Sequence, residues 1–175
     1  MRNTNVRKFV VSALFVAMAY ALSFIKLFRM PLGGSATLFS MFVISLPAYF
    51  FGVGYGFLSS FVYSLLQLVQ GGTMLHPLQI ILDYIVAFTS FGLVAFFRNK
   101  KFGMYVGFFI ACTVRFLASS LSGYIFFREY APEAWNPILY TLAYNGGYIY
   151  AEFILTVIFI SIPQVKAVIK AYKTN

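Results

Sequence analysis

This chain has almost none of the residues that metal and redox chemistry use. One cysteine, Cys112, and one histidine, His76, are the whole supply among 175 residues. No disulfide can close within the chain, and no Cys/His cluster for zinc exists. Nucleophilic Cys/His catalysis lacks its parts as well. No G-x-x-x-x-G-K-[ST] segment is present, so nothing here could cradle the phosphates of ATP. Acids are scarce too, with four Asp and Glu in total. No acid–base or metal constellation is visible, so the chain is expected not to be an enzyme. No cofactor or metal is called for.

Charge of either sign is thin. Charged residues make up 10% of the chain and hydrophobic ones 61%. A soluble domain carries about 25% charged residues, so this composition is that of an integral membrane protein in a lipid bilayer. The net charge of +9 does not point to nucleic acid, because the cations sit between apolar runs and at the ends. They read as topology signals. Aromatics reach 21%, which suits interfacial belts and a pocket that grips flat rings.

The apolar runs predict an all-α fold of six transmembrane helices in one domain, residues 1–175. The spans are about 9–28, 38–51, 55–69, 78–97, 104–127 and 138–162. The first resembles a signal peptide in length, but the chain after it is equally apolar, so it reads as a retained span. On it Ala13, Ala17 and Ala21 recur every fourth residue. Such a stripe of small side chains lets another helix approach closely. It is either internal packing or a docking face for a different subunit. Residues 26–37 read as a loop broken by Pro31, Gly33 and Gly34, a lid or a simple connection. The second and third spans are short, and Gly52, Gly54 and Gly56 punctuate their join. One broken helix there would give five spans and split the basic clusters between the two sides. Six spans satisfy the positive-inside rule better.

Six spans put both termini on one side with nine Lys/Arg: Arg2, Arg7, Lys8, Arg98, Lys100, Lys101, Lys166, Lys170 and Lys173. That side is expected to be cytoplasmic. The turn at Gly71, Gly72 and Pro77, with His76, then lies outside, together with the loop 128–137 and its lone Trp135.

Within this apolar background Asp83 stands out. A charged side chain in hydrocarbon is costly and marks a cavity, a partner and a function. At about 1.5 Å per residue, Asp83 lies about 9 Å below the outer surface and Asn145 about 12 Å. Tyr140 is shallower and Trp135 sits at the mouth. An outward-opening pocket with one anion, an amide and several rings follows. Arg115, about 18 Å deep, and Glu152, about 22 Å deep, are expected to pair as a structural ion pair under the site. A carboxylate accepts hydrogen bonds from an amino-heterocycle, and aromatic faces attract cations. The pocket therefore suits a small, flat, positively charged heterocycle.

Three stretches carry a resemblance: HPLQIILDYIVAF (76–88), SGYIFFREYAPEAWNPILYTLAYNGGY (122–148) and MPLGGS (30–35). They resemble the thiamine-specific substrate-binding subunits, or S components, of energy-coupling factor vitamin transporters. The alanine stripe on the first helix is similar to the one by which S components contact their transmembrane partner. The resemblance implies a six-helix protein of the bacterial cell membrane that binds thiamine on its outer side. It further implies a transmembrane coupling subunit and two cytoplasmic ATPases as partners.

It also implies a ligand-binding set of Asp83, Tyr84, Ser119, Gly123, Phe127, Trp135, Tyr140, Tyr144 and Asn145. Asp83 sits where the family has an acid that binds the aminopyrimidine, and Arg115 matches a basic position in the fifth helix. The family often has His where this chain has Ser119, and some members have Glu in place of Asp83. Trp135 or Tyr144 could replace the missing stacking ring. An S component for another flat vitamin or thiamine precursor stands as the neighbouring reading. An autonomous small-cation transporter needs a polar path to the cytoplasmic face, and the inner halves of these helices are largely apolar.

Overall fold

The structure, a computed structural model, describes residues 4–31, 33–71 and 76–174. Arg2 of the basic N-terminus and Gly72 of the predicted turn lie outside the described residues. The described chain is largely helical. Its helices are α1 (Thr4–Ser23), α2 (Ser40–Phe51), α3 (Val53–Val69), α4 (Pro77–Phe97), α5 (Gly103–Phe127), α6 (Pro137–Ser161) and α7 (Pro163–Thr174). Between α1 and α2 stand two short strands, β1 (Lys26–Arg29) and β2 (Ser35–Thr37).

Four of these helical segments are long and apolar enough to cross a membrane: α1, α4, α5 with the turn after it to Tyr130, and α6. The shorter pair, α2 and α3, has 12 and 17 residues. At about 1.5 Å per residue, α2 reaches only about 18 Å. It never meets lipid along most of its length, because every residue from Ser40 to Ala48 is buried. This explains a helix apolar all round, with Pro47 inside it.

The two short helices are separate elements. Gly52 at their joint has φ +92°, a backbone that L side chains rarely adopt. Four residues on, Gly56 lies so close to Ala48 that a Cβ would stand 2.5 Å from the alanine Cβ. Thus α3 folds back along α2. It runs beside α1 in the same direction, tied at one end by Tyr55 Oη to Asn5 O (3.4 Å) and at the other by Gln70 Nε2 to Ser23 Oγ (2.8 Å).

The segment 26–37 is a β-hairpin and not the predicted loop. Lys26 pairs with Thr37, Phe28 with Ala36 and Arg29 with Ser35. Its tip uses Gly33 at φ +98°, and Met30 N donates to Gly34 O at 2.6 Å. The first helix accordingly ends at Ser23, five residues before the predicted span does. The basic tail, read only as charge, is the helix α7.

The fourth span is not one regular helix. It opens as an α-turn over Pro77–Ile80, widens to a π-helix over Ile81–Val86 and closes as a 3₁₀-helix over Ser90–Phe97. The π segment contains Asp83 and Tyr84. Such segments are rare and concentrate at functional sites, because the extra residue per turn re-aims side chains.

Candidate ligand-binding site

A cavity of about 310 Å³ lies between the hairpin and α2 to α6. Each wall follows from local sequence. α4 brings Asp83, Tyr84 and Phe88 from and just after its π segment. α5 brings Arg115, Ser119, Gly123 and Phe127, spaced four residues apart on one helical face. α6 brings Tyr140, Thr141, Tyr144, Asn145 and Tyr148, again one face at spacings of three and four. The hairpin closes over them.

Eight of the nine predicted ligand contacts therefore line one cavity. The ninth, Trp135, does not: it is 52% exposed on the loop before α6 and forms no part of the wall. His76 also stays outside. Its Nδ1 accepts from Leu78 N at 3.1 Å, capping α4, and its ring stacks on Phe126.

Asp83 is held from the neighbouring helix. Ser122 Oγ donates to its Oδ2 at 2.7 Å. An ionised carboxylate offers about four acceptor sites, so the Ser122 and Gln79 side chains beside it leave capacity for a ligand. Around it stand the rings of Tyr84, Phe88 and Tyr148. Tyr140, Tyr144 and Tyr148 form a ladder along α6, with successive ring centroids 6.1 and 6.0 Å apart.

Asn145 is differently employed than expected. Its Nδ2 donates to Ser119 O (3.3 Å) and Thr141 O (3.1 Å), while its Oδ1 accepts from Tyr148 Oη at 2.9 Å. The amide fastens α5 to α6 and orients Tyr148. Gly123 serves the same junction: a Cβ there would meet Thr141 Cγ2 at 2.6 Å. Its missing side chain lets the two helices close behind the cavity.

The predicted Arg115–Glu152 ion pair is corrected. Glu152 Oε2 accepts from Thr37 N (2.7 Å) and Thr37 Oγ1 (2.8 Å), and its Oε1 accepts from Met41 N (3.1 Å). Three donors from β2 and α2 satisfy the carboxylate, and no salt bridge joins it to Arg115 among the described residues. There is a local reason. Phe39, the residue before α2, has φ +60° and cannot cap the helix with its ring. The orphan N–H groups of α2 need an acceptor from elsewhere, and Glu152 of α6 provides it. Arg115 instead lies over the ring of Phe88, 4.3 Å from its centroid, and 5.9 Å from that of Tyr148. This is cation–π geometry at a cavity wall.

Several wall residues escaped sequence reasoning: Lys26, Arg29 and Thr37 of the hairpin, Tyr63 and Gln67 of α3, and Gln79 of α4. A signal existed for α3. Ser60, Tyr63, Ser64 and Gln67 are buried at spacings i, i+3, i+4 and i+7, a polar stripe on an apolar helix. Gln67 Nε2 and Arg115 Nε are buried without a hydrogen-bond partner in the protein. Buried donors of this kind are costly unless something accepts from them.

Ala13, Ala17 and Ala21 are exposed. α1 turns Ser12, Val16, Ala19 and Ser23 inward instead.

The family model described as thiamine transporter protein matches residues 9–171. The thiamine transporter ThiT of Bacillus subtilis (strain 168) is 32% identical over 143 residues, 74% of each chain. ThiT of Lacticaseibacillus paracasei (strain ATCC 334) is 30% identical over 121 residues, 59% of this chain and 60% of that one. The solved structure of ThiT from Listeria monocytogenes matches with a TM-score of 0.84 over 97% of this chain and 99% of that one. At 23% identity that likeness is one of fold. These relatives are bacterial transporters, so the chain is a multi-pass membrane protein and not an enzyme. A match spanning residues 9–171, on a fold that encloses one aromatic, carboxylate-bearing cavity, makes this chain a member of the thiamine transporter protein family.

Proposed function

We propose that this chain is the thiamine-binding S component of an energy-coupling factor importer. One observation carries the reading. The carboxylate of Asp83, anchored by Ser122, stands on the cavity wall among the rings of Tyr84, Phe88 and Tyr148. Thiamine is a permanent cation with an aminopyrimidine at one end and a thiazolium at the other. The amino group donates to the carboxylate in a charge-assisted hydrogen bond. The thiazolium sits against tyrosine faces of α6.

In this reading all six helices α1 to α6 span the membrane. The turn at 98–102 and both termini face the cytoplasm, where nine Lys/Arg collect. The cavity opens outward. Import requires a transmembrane coupling subunit and two ATPases, because this chain has no nucleotide-binding loop. The exposed face of Ala13, Ala17 and Ala21 supports docking to the coupling subunit through α1.

The test is a calorimetric titration of the purified chain with thiamine, thiamine phosphates, the free pyrimidine, riboflavin and biotin. Saturable binding of thiamine, with none of riboflavin or biotin, is the expected result. Absence of thiamine binding rejects the proposal. Tighter binding of the pyrimidine alone would favour a precursor as ligand, the reading that Ser119 in place of a stacking ring keeps open.

A further inference from the structure

The cavity has a second polar side, across α4 from the groups discussed so far. Asp83 of α4 is fastened toward α5 by Ser122. α4 also packs against α3. The ring of Phe88 marks the division: Arg115 of α5 lies over it at 4.3 Å, and the ring of Tyr63 of α3 meets it edge-on at 5.4 Å. From the α3 side Tyr63, Gln67 and Gln70 line the cavity, with Ser23 of α1 beside them. All four are uncharged hydrogen-bonding groups.

Gln67 differs from its neighbours in the polar stripe of α3. Ser64 Oγ donates to Phe61 O of its own helix at 2.6 Å. Gln70 Nε2 donates to Ser23 Oγ at 2.8 Å and ties α3 to α1. Tyr63 stands by the hydroxyls of Ser23 and Ser40. Gln67 is only 8% exposed, and its Nε2 has no hydrogen-bond partner among the described residues. The carboxylates of the cavity are engaged elsewhere, Glu152 with Thr37 and Met41, Asp83 with Ser122. Lys26 and Arg29 line the cavity too, but Lys26 is only half-buried and Arg29 is exposed, so water serves them. A buried amide N–H without an acceptor is costly, and here it stands on a cavity wall.

We propose that Gln67 is a specificity-determining residue, whose amide N–H donates to a hydroxyl oxygen at the end of the ligand remote from Asp83. The inference rests on the thiamine reading and deepens it. Thiamine carries its amino group on the pyrimidine and a hydroxyethyl arm on the far side of the thiazolium ring. With the amino group on Asp83, the arm extends across the cavity toward the α3 side. Its hydroxyl oxygen accepts from Gln67 Nε2. A site built to hydrogen-bond a ligand hydroxyl rejects the analogue that lacks it, because the buried donor is then left unmet. An ethyl arm fills much of the same space and offers no acceptor.

The experiment is a calorimetric titration of the full chain with thiamine and with its analogue bearing ethyl in place of hydroxyethyl. The unmodified chain is expected to bind the analogue at least tenfold more weakly than thiamine. Gln67→Met keeps the length of the side chain and removes its donor. It is expected to weaken thiamine at least tenfold and to change the analogue less than about twofold. Gln67→Asn, which withdraws the amide by one methylene, is the milder second variant and should narrow the same gap. Equal affinity of the unmodified chain for the two ligands overturns the inference without any variant. Variants that weaken both ligands alike would make Gln67 a packing residue and overturn it as well, as would variants that leave thiamine affinity unchanged. Failure of the unmodified chain to bind thiamine at all rejects the thiamine reading at the first titration, and this inference with it.

Discussion

Thr37 donates its backbone N–H and its hydroxyl to one oxygen of Glu152, at 2.7 and 2.8 Å, across 115 residues of chain. Ser40 Oγ lies 2.5 Å from the same hydroxyl, and Met41 N reaches the other carboxylate oxygen. The second strand of the hairpin, the start of α2 and the middle of α6 are thereby joined at a single buried carboxylate. The hairpin tip rests on the same helix. Gly34 N donates to Tyr144 Oη at 2.9 Å, and a Cβ on Gly34 would strike Tyr148 at 2.8 Å.

Glu152→Gln is expected to loosen this junction. The amide NH₂ cannot accept, so donors on one side of the group lose their partner. A hydrogen bond to a charged group contributes about 1.5–3 kcal/mol. Hydrogen exchange should speed at the amides of Thr37 and Met41, and thiamine should dissociate at least tenfold faster in stopped-flow experiments. Unchanged exchange and dissociation would show that the hairpin is held by other contacts.

Asp83→Asn is expected to weaken thiamine binding at least tenfold, about 1.4 kcal/mol, in calorimetry. The variant keeps the side-chain volume and removes the charge. Asn145→Ala is expected to act indirectly, by releasing Tyr148 and the α5–α6 junction. It should lower the melting temperature as well as the affinity, whereas Asp83→Asn should lower affinity alone. Full affinity in Asp83→Asn would exclude a direct contact.

Gly123→Ala is expected to force α5 and α6 apart, because the new methyl meets Thr141 Cγ2. Overpacking of this kind costs about 1–3 kcal/mol. Thr141→Ser removes the opposing methyl, so G123A/T141S should regain much of the lost melting temperature. A double variant no better than the single one would place the strain elsewhere.

Ala17→Trp is expected to leave thiamine binding intact and abolish uptake in cells that contain the coupling subunits. Ala17 is exposed on α1, so the bulky ring enters no internal contact. Surviving uptake would remove α1 from the docking surface.

Asp83, Tyr140 and Asn145 could be read from residue type and depth, whereas Tyr84, Ser119, Gly123 and Phe127 entered through the family resemblance. Asp83 was conspicuous because a carboxylate in an apolar run has few neutral explanations. The faces of α5 and α6 follow from spacings of three and four, which any helix turns to one side. The partners of these residues were not legible. Arg115 and Glu152 lie at similar depth, and nothing local says that β2 and α2 supply three donors to Glu152 first. The hairpin was hidden as well. Its strands are three and four residues long, too short for an alternating pattern to register. The π segment around Asp83 contains neither Gly nor Pro, so no local breaker announces it.

Composition and order of residues alone determined that this chain lives in a membrane, that it is helical, and that one carboxylate and a set of rings lie together in it. Hydrophobicity and helical periodicity are properties of neighbours in sequence. Only the tertiary structure decided which groups satisfy one another: Glu152 with Thr37, Asp83 with Ser122, Asn145 with Tyr148. Those choices depend on where segments far apart in the chain come to rest. In a low-dielectric interior each buried polar group takes whichever partner the packing brings within about 3 Å.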